Sequence, residues 1–350
     1  MVVLILAAAL VLGAVTFALT TRAQRQQAVV ASAALLGDRV VAQPDTSAAA
    51  VADLVTRRAW AGGVPDVLVQ GSFERGRAGE AVRPLAGTNA VAFRLESPPR
   101  GPLPTQWVLR VPLRPWPTAQ VQRYDRLSLL GVHTRRRLGL PGLTQINGLF
   151  KPSADEPPTC TGLLMEQVSG RSLDSYLEAN YRDSQALLRL AVRFRDRVLN
   201  FEAADFAHGD LHHSNVMVGA NGEIAFIDLD DCYLPGLTTS QSVGHANYQH
   251  PHRDVQHWGP HVDSFSALLI WVSIQAMAKD PALYSDLGDD GCVLFRRDDL
   301  LKPGATDLWR RLASAVDGRV REGAATLAEL CRRPEPPAVP FKNLLPSSIA

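Results

Sequence analysis

Lysine is nearly missing from this 350-residue chain, and no other scarcity says as much. Lys151, Lys279, Lys302 and Lys342 are the only ones, so the first 150 positions hold none and Arg carries nearly all the positive charge. A guanidinium is planar and forked where an ammonium is a compact point charge, so any chemistry that needs Lys ahead of residue 151 is excluded. Excess charge of one sign is absent too. With 36 Lys plus Arg against 35 Asp plus Glu, the net charge is +1, and the field that would draw in a nucleic acid is missing; no nucleic-acid partner is expected. Cys160, Cys232, Cys292 and Cys331 lie far apart with no C-x-x-C pair, which speaks against a zinc ribbon or a disulfide scaffold and for reduced thiols. No internal repeat is present. What the chain does have is 46% hydrophobic residues over a length that fits one large or two modest domains.

Val2 to Leu19 contains no charged residue, and as a helix it would extend about 27 Å, enough to cross most of a hydrocarbon core. Arg22 and Arg25 follow it, which favours a cytoplasmic body. The expectation is a transmembrane anchor over 1–20, a juxtamembrane helical linker over 21–63, and single-pass placement in the inner (cytoplasmic) membrane. Beyond the linker, Val67–Val69, Ala90–Leu95 and Trp107–Val111 are short β-like runs divided by Gly and Pro, and Leu163–Met165 reads as another buried strand. Helical periodicity runs from about Gln120 to Leu138, again over Leu187–Ala203, and over the apolar stretch Ser264–Met277. Four prolines within Pro334–Pro340, just after Arg333, suggest a loose or docking tail.

The most informative segment is His208-Gly209-Asp210-Leu211-His212-His213-Ser214-Asn215, followed by two short strands around Ala220-Asn221-Gly222, the second ending in Asp228. Hairpin geometry brings Asn215 and Asp228 together at one mouth. An amide oxygen and a carboxylate suit Mg²⁺, a hard cation that shares its shell with waters and substrate phosphates. Asp210, five residues ahead of Asn215, is placed to accept a hydroxyl proton.

In spacing and letters this segment resembles the protein-kinase-like superfamily, whose catalytic loop runs H-R-D-x-x-x-x-N and whose metal-binding Asp opens a D-F-G triplet. The triplet here is Asp228-Leu229-Asp230, and Gly209 stands where Arg is usual, a form more similar to the aminoglycoside phosphotransferases and other atypical kinases. Gly244-His245-Ala246-Asn247-Tyr248-Gln249-His250-Pro251 and Asp263-Ser264-Phe265 add a second likeness, to a bacterial family of serine/threonine kinase-like domains. The resemblance implies a bilobal α+β fold after the N-terminal transmembrane helix. A small antiparallel β lobe (64–165) would precede a larger, mainly helical lobe (166–333), with a Pro-rich tail over 334–350. It implies Asp210 as catalytic residue, Asn215 and Asp228 as metal ligands, His208 and Asp263 as structural support, and ATP with Mg²⁺ as cofactors.

The small lobe matches the pattern less well. Kinases cover the ATP phosphates with a Gly-rich hairpin and pair a strand Lys with a helix Glu. The hairpin falls at Leu85 to Phe93 with Gly87 as its one glycine; Arg110 stands in place of the Lys, and no Glu occurs between Glu96 and Glu156. Asp125, Gln120 and Gln122 are the candidate partners for Arg110. Glu166 and Val168 fall in the hinge that would meet adenine. Asp230 and Asp231 read equally well as solvated turn carboxylates. Three functions stay open: transfer of the γ-phosphate of ATP to a Ser or Thr of an unknown protein, a pseudokinase that binds nucleotide or acts as a scaffold, and a small-molecule phosphotransferase. The expected partners are a nucleotide, a protein substrate and, through the N-terminal helix, a membrane.

Overall fold

A computed structural model describes residues 47–76, 82–86, 89–99, 104–155, 157–237, 240, 242–288 and 291–349. The chain divides into two units, 1–42 and 43–350; the first lies wholly outside the described residues, and the fold below is that of the second.

The small lobe is an antiparallel sheet in the order β1-β3-β4-β6-β5, with β2 paired to β3. Its strands are β1 (Ser72–Phe73), β2 (Leu85–Ala86), β3 (Ala90–Glu96), β4 (Gln106–Pro112), β5 (Leu143–Phe150) and β6 (Thr159–Glu166). Side chains alternate across a strand, so β4 sends Leu109 and Val111 into the lobe's core and leaves Arg110 on the opposite face. Helix α1 (Ala48–Thr56) packs Val51 and Val55 into that core, and Trp60 stacks on Phe73 and Phe150 at 5.9 and 5.4 Å. The end of the expected linker is thus part of the small lobe. Val67–Val69, whose β-branched residues suggest a strand, lies instead in helix α2 (Asp66–Gln70): Pro65 caps it and Asp66 sits in its first turn, where both favour a helix start. The expected helix from Gln120 to Leu138 is two, α3 (Thr118–Ser128) and α4 (Val132–Leu138), parted at Gly131.

In the large lobe a second sheet, β7 (Arg171–Ser172), β8 (Val216–Val218) and β9 (Ile224–Phe226), carries the loop of interest between β7 and β8. Helices α5 (Leu173–Asn180), α6 (Ser184–Ala203) and α7 (Ser264–Lys279) form the centre, with α8 (Ala282–Leu287), α9 (Arg297–Leu301), α10 (Asp307–Ala313) and α11 (Gly318–Arg332) around them. The Pro-rich tail docks: Phe341 is fully buried, and its N–H donates to Glu202 of α6.

The expected transmembrane helix is corrected. Among the described residues no helix is long and apolar enough to cross a membrane. The apolar α7 has 16 residues, about 24 Å of rise, and is buried on all sides within the lobe, while the longer α6 carries charges along its exposed face. The segment Val2–Leu19 itself lies outside the described residues, and the fold of the described residues is bilobal α+β.

Candidate active site

The loop His208–Asn215 is held from below. Asp263, buried at the start of α7, accepts the backbone N–H of Gly209 at 2.9 Å and that of His208 through its other oxygen. Burial pushes the Asp263 carboxyl up, while His208, the two N–H donors and Arg253 work in the opposite direction. His208 Nε2 lies 2.8 Å from the Ile227 carbonyl, tying the loop to the segment that leads from β9 into Asp228. Gly209 has φ +83°, and a Cβ there would stand 1.9 Å from the Asp231 carbonyl. That approach explains why this loop carries Gly rather than Arg between His208 and Asp210.

Three sequence-predicted residues converge at the loop's mouth. Asn215 Nδ2 donates to the Asp210 carbonyl at 3.0 Å, and the Asn215 carbonyl accepts from Ile227 N–H at 3.0 Å. Asp228 follows Ile227 with φ +59°, a left-handed conformation that is costly for a side chain other than glycine, and its carboxylate is 54% exposed. Partial burial and the neighbouring Asp230 carboxylate push Asp228 up, opposed by Arg110. The Asn215 amide oxygen and the Asp228 carboxylate are both hard oxygen donors and fit Mg²⁺. Among the described residues no group of three or more His, Cys, Asp and Glu could hold a metal, so an ion here would take the rest of its shell from phosphates and water.

On the acceptor side, His245 N–H donates to Asp210 Oδ1 at 2.8 Å. Gly244 brings that backbone close: its φ is +75°, and a Cβ would meet Asp210 Oδ1 at 2.6 Å. Asp210 Oδ2 faces His212 Nε2 at 3.6 Å. His212 stacks among His213, His245 and Tyr248, and burial lowers its pKa to about 4 against the pull of Asp210. His213 Nδ1 meets the Tyr248 hydroxyl at 2.6 Å, and that hydroxyl also accepts Val293 N–H at 2.8 Å.

The small-lobe cation departs from expectation. Arg110 is paired neither with Asp125, which accepts from Gln145 Nε2 at 2.8 Å, nor directly with a glutamine of α3. Its Nη1 and Nη2 grip the two oxygens of Asp230 at 2.7 and 2.6 Å, Nη1 also donates to the Tyr124 hydroxyl at 3.1 Å, and Tyr124 donates to Asp230. Asp230 is therefore not a solvated turn residue; its side chain is 27% exposed, and 3.8 Å separates Arg110 from Asp228. Burial would push Asp230 up, but Arg110, Tyr124 and Gln120 hold it below its usual range. Burial is the largest single influence on Arg110 and opposes its cation, but the hydrogen bond to Asp230 and the charges of Tyr124, Asp230 and Asp228 together outweigh it. Arg123 of α3 secures the same turn through the carbonyls of Cys232 at 2.8 Å and Asp230 at 2.5 Å. Asp231 accepts from the Ser240 hydroxyl.

Glu166 closes the end of β6 onto the segment before β5, accepting Gly142 N–H at 2.7 Å through Oε2. Val168 is half-buried just beyond, after Gln167, whose N–H donates to the Gln106 carbonyl at 2.9 Å. Gly87 lies outside the described residues.

Residues 140–234, which include the loop, Asn215 and both carboxylates of the Asp228–Asp230 turn, match the family model of the phosphotransferase enzyme family, APH. That match supports a likeness of this segment to the protein-kinase-like phosphotransferases. No curated protein matches the chain. Among solved structures it is similar to the kinase PK-1 of Cydia pomonella granulovirus, at 11% identity over 75% of this chain and 89% of that one, with a TM-score of 0.46. Arg110, His245 and Asp263 stand outside the matched stretch, so the Arg110–Asp230 pair joins the family segment to a residue it does not contain.

Proposed function

We propose that the chain is a phosphotransferase that uses ATP and Mg²⁺ to phosphorylate a Ser or Thr hydroxyl of a protein. The observation that carries this reading is the convergence of Asp210, Asn215 and Asp228 at one mouth, where Asn215 bonds to the Asp210 carbonyl and to Ile227 N–H, and Asp228, next to Ile227, is exposed in a strained backbone conformation. The acceptor hydroxyl oxygen bonds to the γ-phosphorus, the bond from that phosphorus to the oxygen of the ADP leaving group breaks, and the hydroxyl proton passes to the Asp210 carboxylate. Asn215 and Asp228 would hold Mg²⁺, which would supply neutralisation of the phosphate charge. Arg110 contacts the phosphates with its remaining donors. A protein acceptor, rather than a small molecule, is supported by the ground beside Asp210: residues 249–263 fold as turns with no inserted helix to wall off a small cavity.

A second reading, nucleotide binding without transfer, is favoured by one observation: both Asp230 oxygens engage Arg110, so the cation is already neutralised before any phosphate arrives. The test is calorimetric binding of ATP with and without Mg²⁺, alongside γ-phosphate transfer, for the full chain and Asp228→Ala. Binding and transfer that both need Asp228 support the phosphotransferase. Binding without transfer moves the function to the second reading.

A further inference from the structure

Resting on the nucleotide-binding reading above, we propose that Asp230, braced by the Tyr124 hydroxyl, is the positioning residue that aims Arg110 at the nucleotide phosphates. The carboxylate partner of the phosphate-binding cation then comes from the turn that follows the metal ligand, and not from helix α3.

Donor arithmetic supports the assignment. A guanidinium has five N–H groups. Tyr124 and Asp230 Oδ1 take the two on Nη1, and Asp230 Oδ2 takes one on Nη2. The Nε–H and the second Nη2–H remain for phosphate oxygens. An ammonium has three donors and no fixed fork, so Lys could not hold both oxygens of Asp230 in this planar arrangement and still present a directed pair. The chain that lacks Lys ahead of residue 151 therefore keeps a cation whose geometry this partner requires.

The two carboxylates of the turn divide the work. Asp228 is 54% exposed and only 3.8 Å from Arg110 at its nearest, open to a metal; Asp230 is 27% exposed with both oxygens engaged. Asp230 is thus unsuited to ligate the ion beside Asp228. Helix α3 joins the arrangement from its own side, Tyr124 through its phenol and Arg123 through the Asp230 carbonyl, so three residues of distant sequence fix one turn. Phenol and guanidinium together make Asp230 the junction of α3, β4 and the turn after β9.

The test is a double-mutant cycle on the full chain, with ATP affinity by calorimetry and Mg²⁺ requirement by titration. Loss of a charge-assisted hydrogen bond predicts that Asp230→Asn weakens ATP binding about tenfold and that Tyr124→Phe weakens it about threefold, both with an unchanged Mg²⁺ midpoint. In an Arg110→Met background Asp230→Asn adds nothing, because it acts only through Arg110. Tyr124→Phe keeps the ion pair and serves as the reading if Asp230→Asn does not fold. Unchanged affinity in these variants, additive losses with Arg110→Met, or a shifted Mg²⁺ midpoint that makes Asp230 a metal ligand each overturn the proposal while leaving the nucleotide-binding reading in place. A folded wild type that binds no ATP overturns both.

Discussion

Replacing Asp263 removes the floor of the catalytic loop. Its two oxygens accept the N–H groups of His208 and Gly209, all within the protein interior, so Asp263→Ala leaves two buried donors without partners. A hydrogen bond to a charged group contributes about 1.5–3 kcal/mol, which puts the alanine variant about 3–5 kcal/mol below wild type. Asparagine keeps one acceptor. Burial already opposes the ionised carboxyl, so part of its hydrogen-bond energy offsets desolvation, and Asp263→Asn should cost less, about 1–2 kcal/mol. Domains are stable by about 5–15 kcal/mol, so both variants remain measurable by urea unfolding, with the loss read as a lower midpoint at unchanged m. Amide hydrogen exchange sharpens the test: protection at His208 and Gly209 should fall in both variants while the amides of α6 keep theirs under native conditions. An alanine variant within 0.5 kcal/mol of wild type, or undiminished protection at those two amides, refutes the reasoning.

Gly244→Ala places a methyl carbon 2.6 Å from Asp210 Oδ1 at a backbone angle that disfavours alanine, so the turn must withdraw from Asp210. Steady-state assay should show kcat reduced by about tenfold or more with KM for ATP nearly unchanged, as expected when only the acceptor side is disturbed; an equal loss in both would contradict it. His212 has a folded pKa near 4 against an unfolded value near 6.5, so the unfolded chain binds the proton first as pH falls. The stability it protects is complete above pH 6.5 and is lost toward pH 4, on the order of 3 kcal/mol in all. Urea midpoints measured over that range should slope less in His212→Gln than in wild type, and identical slopes would dismiss the assignment.

The parts of the fold legible in the sequence are local ones. The strand, turn and strand after Asn215 occupy eleven residues, from Val216 to Phe226, with the turn residues Asn221 and Gly222 between them, so pattern and turn chemistry suffice. Asp210, Asn215 and Asp228 meet because that short hairpin leaves them little choice. The Arg110–Asp230 pair spans 120 positions and depends on how two lobes pack, which no local pattern encodes. A signal for it did exist: no Glu in helix α3, no Lys before residue 151, and a second carboxylate in Asp228-Leu229-Asp230. Gly131 shows the opposite error, where a periodic apolar pattern continued across a residue that stops a helix. Val67–Val69 shows β-branched composition yielding to a Pro-Asp helix start. The docked tail was legible only as an alternative, because proline density says nothing of the buried Phe341 that follows it.

The central claim is that Asp210 receives the proton of an acceptor hydroxyl at a site that binds Mg²⁺ and ATP. Its most direct test is transfer of γ-labelled phosphate by the full chain, wild type and Asp210→Asn, with ATP affinity measured on the same samples. The account predicts Mg²⁺-dependent transfer by the wild type, and loss of transfer by at least about a hundredfold in Asp210→Asn with ATP affinity retained. Transfer undiminished in Asp210→Asn, or a folded wild type that binds Mg²⁺ and ATP without transferring phosphate to any protein, contradicts it.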